Sequence, residues 1–580
     1  MSMWRRPGRD DARTSPGGGR RRFVQWSLLG VFALMIARAF YLQIIDAPFL
    51  SREAGRQAVQ MIQEQGHRGM ILDRYGRPLA ISTPVDSLWG NPQLLLKEPA
   101  AWPALAHAIG WTLGQFRRAL HAQRHEQFMY LRRDADPRFA KKVLDLRIRG
   151  VASQREYRRY YPTGSADATV IGFTNIDDQG QDGIELAYNS WLSPRPGHAT
   201  VIRDGLGEPI AVHYGHTRPQ RGKNLVLTLD QRIQYLAYHA LKKAVRYHGA
   251  RSGSVIVLNP YTGSILALAN VPSFNPNTRA DLDSVYYRDR AVTDVIEPGS
   301  SLKPLTVALD LQTGRVTPHT LVNTSPGYYW VGPDKISDVA DFGLIDVNHV
   351  IAESSNVGAS KIALTTLTRR AMYANFRRLG LGHSTHSGLP GESPGFLAPP
   401  GTWEPIQKAT LSFGYGISVT PMQLARAYTA LANGGILEPI SIVHHEKPVK
   451  GRRVFSRRVV LEMRRMLEMA ASPVGTGATA DIVNYRVAGK TGTAHIADAT
   501  GYHRHEYVAS FAGFAPATDP RLVAVVVIRD PTRHGYYGAQ CAAPVFREVM
   551  TGALRILNIP PDNPETLMAQ TAGARGTGHG

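Results

Sequence analysis

The sharpest chemical signal in the 580-residue chain is Glu297-Pro298-Gly299-Ser300-Ser301-Leu302-Lys303-Pro304. A Pro-Gly breaker pair precedes the serine and Pro304 falls within the next turn, so a helix is expected to begin here. Ser300 then sits at its amino end, with Lys303 one turn on and on the same face. A serine hydroxyl is a poor nucleophile until a base takes its proton; a desolvated lysine can do so near neutral pH, and the helix dipole favours the developing alkoxide. The pair alone fits a helix cap beside a surface lysine equally well, although of the 13 lysines only Lys303 has a serine three residues upstream.

Two further clusters add to it. Ser354-Ser355-Asn356 offers a hydroxyl on Ser354 and an amide on Asn356, on a turn expected between helices, where they could relay a proton and hold a substrate amide. A turn-forming serine is the plainer reading, and Ser273-Phe274-Asn275 matches the same loose pattern. Lys490-Thr491-Gly492-Thr493 follows Tyr485-Arg486-Val487-Ala488-Gly489 and reads as a strand. Its Gly492 leaves the backbone open to an extended peptide, while Lys490, Thr491 and Thr493 supply a cation and hydroxyls for a carboxylate.

These side chains need a scaffold. From about residue 223 the texture is regular: Leu225 to Leu229 is strand-like, Asp230 can cap a helix through Val245, and Ser254–Leu258 with Ile265–Ala269 form a hairpin around Pro260-Tyr261-Thr262-Gly263. Val508–Phe514 and Leu522–Ile528 are two more strands, and helices fill about 300 to 470, so an α+β domain is expected over 220–557. Residues 50–215 mix short apolar alternation with Gly, Pro and Arg, and suggest an irregular, mostly β module with helices only near 101–122 and 138–147. The Gly-, Ala- and Thr-rich segment 558–580 is expected to be a flexible tail. No repeats are evident.

Residues 1–22 carry seven Arg and two Asp and precede an apolar run over 23–45 broken only by Arg38, the pattern of a membrane helix with a cytoplasmic basic tail. Arg38 can snorkel to the far headgroups or meet a partner helix. Ala37-Arg38-Ala39 resembles a cleavage site, but the apolar run continues past it to Ile45, which favours an uncleaved anchor. The formal charge of +21 suits an anionic membrane surface or cell-wall polymer; no nucleic-acid recognition spacing accompanies it. One cysteine, Cys541, excludes an internal disulfide. His503-Arg504-His505-Glu506 fits a hairpin loop better than a zinc site.

The three motifs in this order, about 55 and 135 residues apart, resemble those of the penicillin-recognising serine enzymes. The resemblance extends over roughly 20 to 555, through Arg68-Gly69-Met70-Ile71-Leu72-Asp73-Arg74-Tyr75-Gly76, Val170 to Asn175, Gly183-Ile184-Glu185 and Thr410 to Pro421, and points to the class B penicillin-binding proteins. Ala291 to Glu297, Tyr536-Tyr537-Gly538 and Ala543 to Phe546 are most similar to the division-specific type, the elongation-specific type being the nearer rival.

The resemblance implies a single membrane anchor and a non-enzymatic pedestal. These precede a serine β-lactamase-like transpeptidase domain, a five-stranded antiparallel sheet flanked by helices. It implies that Ser300 attacks the bond between the terminal D-alanines of a stem peptide, that Lys303 takes its proton, and that the amides of Ser300 and Thr493 stabilise the oxyanion. Ser354 would protonate the leaving group, Asn356 would position Lys303 and substrate, and Lys490, Thr491, Gly492 and Thr493 would hold the terminal carboxylate. No cofactor or metal is implied. β-Lactams would acylate Ser300 and remain, because the glutamate pattern of class A β-lactamases is missing after Ser300; Glu185-Leu186-Ala187-Tyr188-Asn189 lies upstream, in the pedestal. Implied partners are a septal lipid II polymerase of the FtsW type and other division proteins, meeting the anchor and pedestal at the inner membrane, with the catalytic domain periplasmic and at the septum. A carboxypeptidase would use the same site with water as acceptor, and an idle scaffold or a penicillin sensor is the alternative of another class. Two departures stand out: Leu192-Ser193-Pro194-Arg195-Pro196-Gly197 lacks a Gly usual in the pedestal motif, and Ser301 replaces a common Thr.

Overall fold

The computed structural model describes residues 18–48, 59–64, 66–203, 209–214, 218–278, 283–446, 449–498 and 501–563. Of the basic tail expected over 1–22, residues 1–17 lie outside them and 18–22 begin a helix. Of the flexible tail expected over 558–580, residues 564–580 lie outside them, while 558–563 correct the expectation: Ile559 is buried and accepts from the Tyr485 hydroxyl at 2.6 Å, and Asp562 accepts from Arg486 N at 2.7 Å. The chain divides into two compact units, 1–66 with 195–220, and 67–194 with 221–580.

In the first unit, the helix Gly18–Phe40 runs on through a wider π turn, Tyr41–Ile45. Arg22–Ile45 is apolar and long enough to cross a membrane, and its side chains from Phe23 to Phe40 are all exposed, as an anchor requires. The unit also holds a three-stranded antiparallel sheet with Gly197–Arg203 between Val59–Glu64 and Pro209–Tyr214.

The second unit begins with a sheet in which Pro78–Gly90 pairs antiparallel with Met129–Ala135 and Val151–Tyr160. Three short helices, Trp102–Ile109, Leu113–Ala122 and Pro137–Leu144, close a core of Leu88, Leu105, Phe116, Leu120, Leu131 and Val143 beside it. Segments far apart in the chain converge on one acid: Arg68 and Arg159 both donate to the buried Glu185 carboxylate, at 2.7 and 2.6 Å, and Arg68 also reaches Asn189 Oδ1 and Ser193 Oγ. Glu185 is thereby committed to holding chain segments together. Leu225 to Leu229 departs from expectation: only Leu225–Val226 is a strand, and it pairs in parallel with Ile71–Leu72 in the pedestal sheet. Beyond it Leu227 N still donates to Leu72 O at 2.8 Å and Leu229 O accepts from Arg74 N at 2.9 Å, while Leu227 also bridges to Val443.

The remainder is built on an antiparallel sheet of β1 (Ser252–Leu258), β2 (Ile265–Val271), β3 (Ala488–Asp498), β4 (Gly501–Ala515) and β5 (Leu522–Arg529), in the order β2-β1-β5-β4-β3. Successive side chains of a strand point to opposite faces. Val255 and Val257 therefore enter one core with α1 (Gln231–Tyr247) and α7 (Ala543–Ile556). Ile256 and Leu258 enter the other, with α2 (Lys303–Gln312), α5 (Pro421–Ala432) and α6 (Arg457–Ala471). Helices on both faces explain why these strands read as unbroken apolar runs. The helices α3 (Val347–Ala352) and α4 (Asn356–Thr366) lie beyond α2. His503 and His505 stand within β4 and not in a loop, because β3 and β4 stay paired as far as Asp498 and Gly501.

Candidate active site

Ser300 lies in a single 3-10 turn, Gly299–Leu302, that leads into α2 at Lys303. The turn is fixed by backbone. Gly299 has φ +54° and donates its N–H to Gly414 O at 3.1 Å, while Gly414 has φ +90° and would drive a Cβ to 2.2 Å from Gly299 O. Both conformations favour glycine, and the contact leaves no room for a side chain on Gly414. Beneath the turn, Ser301 Oγ donates to Pro298 O at 2.6 Å and the Tyr428 hydroxyl to Ser301 O at 2.7 Å. The edge strand β3 packs against the same turn. A Cβ on Gly492 would lie 2.3 Å from Ser510 Oγ and 2.8 Å from Pro298 O, so glycine is what lets strand and turn meet.

Ser354 occupies the break between α3 and α4 with φ +64°, a left-handed conformation that a serine adopts only when its surroundings hold it. Asp338 supplies that hold: its carboxylate accepts from Ser355 Oγ at 2.6 Å, from Asn356 N, and from Val357 N at 3.1 Å. Asp338 has no motif signal in the sequence; an acid capping a helix 18 residues away becomes visible only in the fold.

The lysines lie beneath these groups. Lys303 is fully buried, and its Nζ donates to Ser354 O and to Ser354 Oγ at 3.1 Å. Lys490, also fully buried, donates to Thr476 Oγ1 at 3.0 Å and Thr491 Oγ1 at 3.3 Å. Burial, then the positive charge of Lys490, holds the Lys303 ammonium well below its ordinary range, against the opposing pull of Asp338. Burial lowers Lys490 to about 7. Ser300, Ser354, Asn356 and Thr493 are each half-buried, against two fully buried amines.

Three placements refine the expectations. The Asn356 amide donates to Ser337 O at 3.0 Å, whereas the hydrogen bonds of Lys303 go to Ser354. Thr491 is buried and spends its hydroxyl on Thr476 and Lys490. Thr493 Oγ1 accepts from Gly538 N at 3.0 Å, which aligns the oxygen and leaves its proton to donate outward. Thr476 was missed by sequence reasoning; its only hint is the run Gly475-Thr476-Gly477 ahead of β3.

The chain matches the penicillin-binding protein dimerisation domain over residues 63–227 and the penicillin binding protein transpeptidase domain over 253–551. It is 40% identical over 552 residues to the peptidoglycan D,D-transpeptidase FtsI of Escherichia coli strain K12, covering 93% of both chains. To the probable peptidoglycan D,D-transpeptidase PenA of Neisseria gonorrhoeae it is 39% identical over 555 residues, covering 95% of both. Among solved structures, the apo transpeptidase domain of Burkholderia pseudomallei penicillin-binding protein 3 superposes with a TM-score of 0.54 at 42% identity, covering 58% of this chain and 97% of that one. A peptidoglycan synthetase from Bifidobacterium adolescentis superposes with a TM-score of 0.69 at 25% identity, covering 87% and 98%. A buried lysine beside a half-buried serine, on this sheet, thus has its relatives: the chain belongs to the class B penicillin-binding proteins.

Proposed function

We propose that the chain makes septal peptidoglycan cross-links through an acyl-enzyme on Ser300. Its kinship is with peptidoglycan D,D-transpeptidases, and its relatives include both FtsI and PenA, so the septal assignment is our reading of the FtsI likeness. The observation that carries the mechanism is the fully buried Lys303, bonded to Ser354 and kept short of protons by burial and by Lys490.

Neutral Lys303 accepts the Ser300 proton as Oγ attacks the carbonyl carbon between the two terminal D-alanines. The amides of Ser300 and Thr493 receive the oxyanion, a role whose loss costs about a hundredfold or more per donor. The C–N bond breaks and the departing D-alanine amine takes its proton from Lys303 by way of the Ser354 hydroxyl. The amine of a second stem peptide then attacks the ester and returns Ser300 to its hydroxyl form. The substrate carboxylate is held by the Thr493 hydroxyl in the field of Lys490, with Thr491 steadying Lys490 from within. A β-lactam offers the same carboxylate and a strained amide, and its ester persists.

The apolar helix Arg22–Ile45 serves as a single-pass inner-membrane anchor with the catalytic domain in the periplasm, and it and the pedestal meet an FtsW-type polymerase and other division proteins. The deciding experiment is labelling with fluorescent penicillin followed by mass mapping. We expect a stable adduct on Ser300 that Ser300→Ala lacks; a folded wild-type protein that takes no label would return the chain to the scaffold reading.

A further inference from the structure

Between α2 and α3 the chain forms a short hairpin, Tyr328–Val331 paired with Asp334–Ser337. Its two faces differ. Tyr329, Val331 and Ile336 pack inward with Val357, Ala409 and Phe413. On the outward face, Tyr328 is paired with Ser337 and Trp330 with Lys335; Trp330 is 54% exposed, and Lys335 Nζ stands 4.1 Å from the centre of the Tyr328 ring. The face ends at the catalytic turn: Ser337 O accepts from Asn356, and the next residue, Asp338, carries the Ser354–Asn356 break.

We propose that this outward face, Tyr328 and Trp330 with Lys335, is a saccharide platform that receives the glycan strand from which the reacting stem peptide hangs. The proposal rests on the reading of Ser300 as the nucleophile. If the stem peptide occupies the site beside Asn356, what extends past it is a polymer of amino sugars. Pyranose rings present apolar C–H faces rimmed by hydroxyls, and suit exposed Trp and Tyr rings, which are apolar in body and polar at the tip. The two aromatic residues are two apart on one strand, placing them about 7 Å from each other along it. Lys335 adds a donor for ring hydroxyls and acetamido oxygens while its ammonium steadies Tyr328. The platform is preformed, because the inner face is core. A ribbon two strands wide is also far smaller than the roughly 800 Å² per partner that a stable protein interface buries.

The test uses the full-length protein in detergent, with Trp330→Ala, Trp330→Phe and Lys335→Ala. Glycan chains stripped of their peptides are titrated while tryptophan fluorescence is followed, a readout that does not involve Ser300. Cross-linking of polymeric strands and consumption of a free stem pentapeptide are then compared. We expect the stripped chains to perturb the wild-type spectrum and not that of Trp330→Ala. The ratio of polymer to pentapeptide rate should fall about tenfold in Trp330→Ala, with Trp330→Phe between it and wild type. An unchanged ratio, an equal loss of both rates, or stripped chains that perturb wild type and Trp330→Ala alike would overturn the proposal. A wild-type protein that binds the chains but takes no penicillin would instead condemn the assignment of Ser300.

Discussion

Two lysines share one buried electrostatic problem, and their coupling can be tested by removing one charge. Burial, then the positive charge of Lys490, depresses the Lys303 pKa, and the base role proposed for Lys303 requires its neutral form. In Lys490→Met the acid limb of the penicillin acylation profile should therefore move to higher pH, with the rate at pH 7 falling at least about tenfold. Stability should move the other way. With its folded pKa near 7 against an ordinary 10.5, Lys490 costs stability that grows as pH falls from 10.5 to about 7 and is constant below. Lys490→Met should gain about 1 kcal/mol in a denaturant titration at pH 7. A variant less stable than wild type, with an unmoved acid limb, would show that the two amines do not interact. The motifs were legible at this scale because each is local. Asp338 and Thr476 were not, since they reach their partners only through the fold, as does the inward commitment of Thr491.

At the scale of elements, the Ser300 turn is placed by backbone against backbone. Gly414→Ala would push a methyl group into Gly299 and demand a left-handed alanine, displacing the Ser300 turn by some tenths of an ångström. A misplacement approaching 1 Å costs about a hundredfold in rate, and penicillin acylation should fall by that order while the circular dichroism spectrum is kept. Acylation at the wild-type rate would mean that the contact can relax at no cost. The sequence named Gly414 within Thr410 to Pro421 as part of a resemblance, with no physical reason for it; the reason is its approach to Gly299. Strands β1, β2 and β5 were readable because each is a short apolar run between turn residues. Leu225 to Leu229 misled because apolar alternation says that a strand forms and not which sheet receives it. The histidines of β4 misled because a polar, charged stretch resembles a loop until its pairing with β3 is known.

At the scale of the whole molecule, three buried carboxyls among the described residues are pushed up to 7 or beyond: Asp167 and Asp289 to about 7 and Asp310 to about 8, each chiefly through burial. Between 3.8 and these values each of these groups holds a proton in the folded chain that it loses in the unfolded one, so their contribution to stability is greatest on the acid side and declines as pH rises towards 8. Asp310 accepts from the Thr366 hydroxyl through one oxygen and leaves the other without a partner. Asp310→Asn copies its neutral form. Its Tm should match wild type at pH 5 and exceed it at pH 9; equal pH dependence in the two proteins would locate the effect elsewhere.

The middle of the transpeptidase sheet joins β1 to β5, with Val255 opposite Val526, and the Ser300 turn rests on β3, which begins at Ala488. If the proposed anchor delivers the chain across a membrane from its amino end, Ser300 emerges well before β3, the strand against which its turn packs. On that reading the site proposed around Ser300 cannot close until Ala488 and the residues after it have crossed, so the order of export would act as a safety catch on the proposed chemistry.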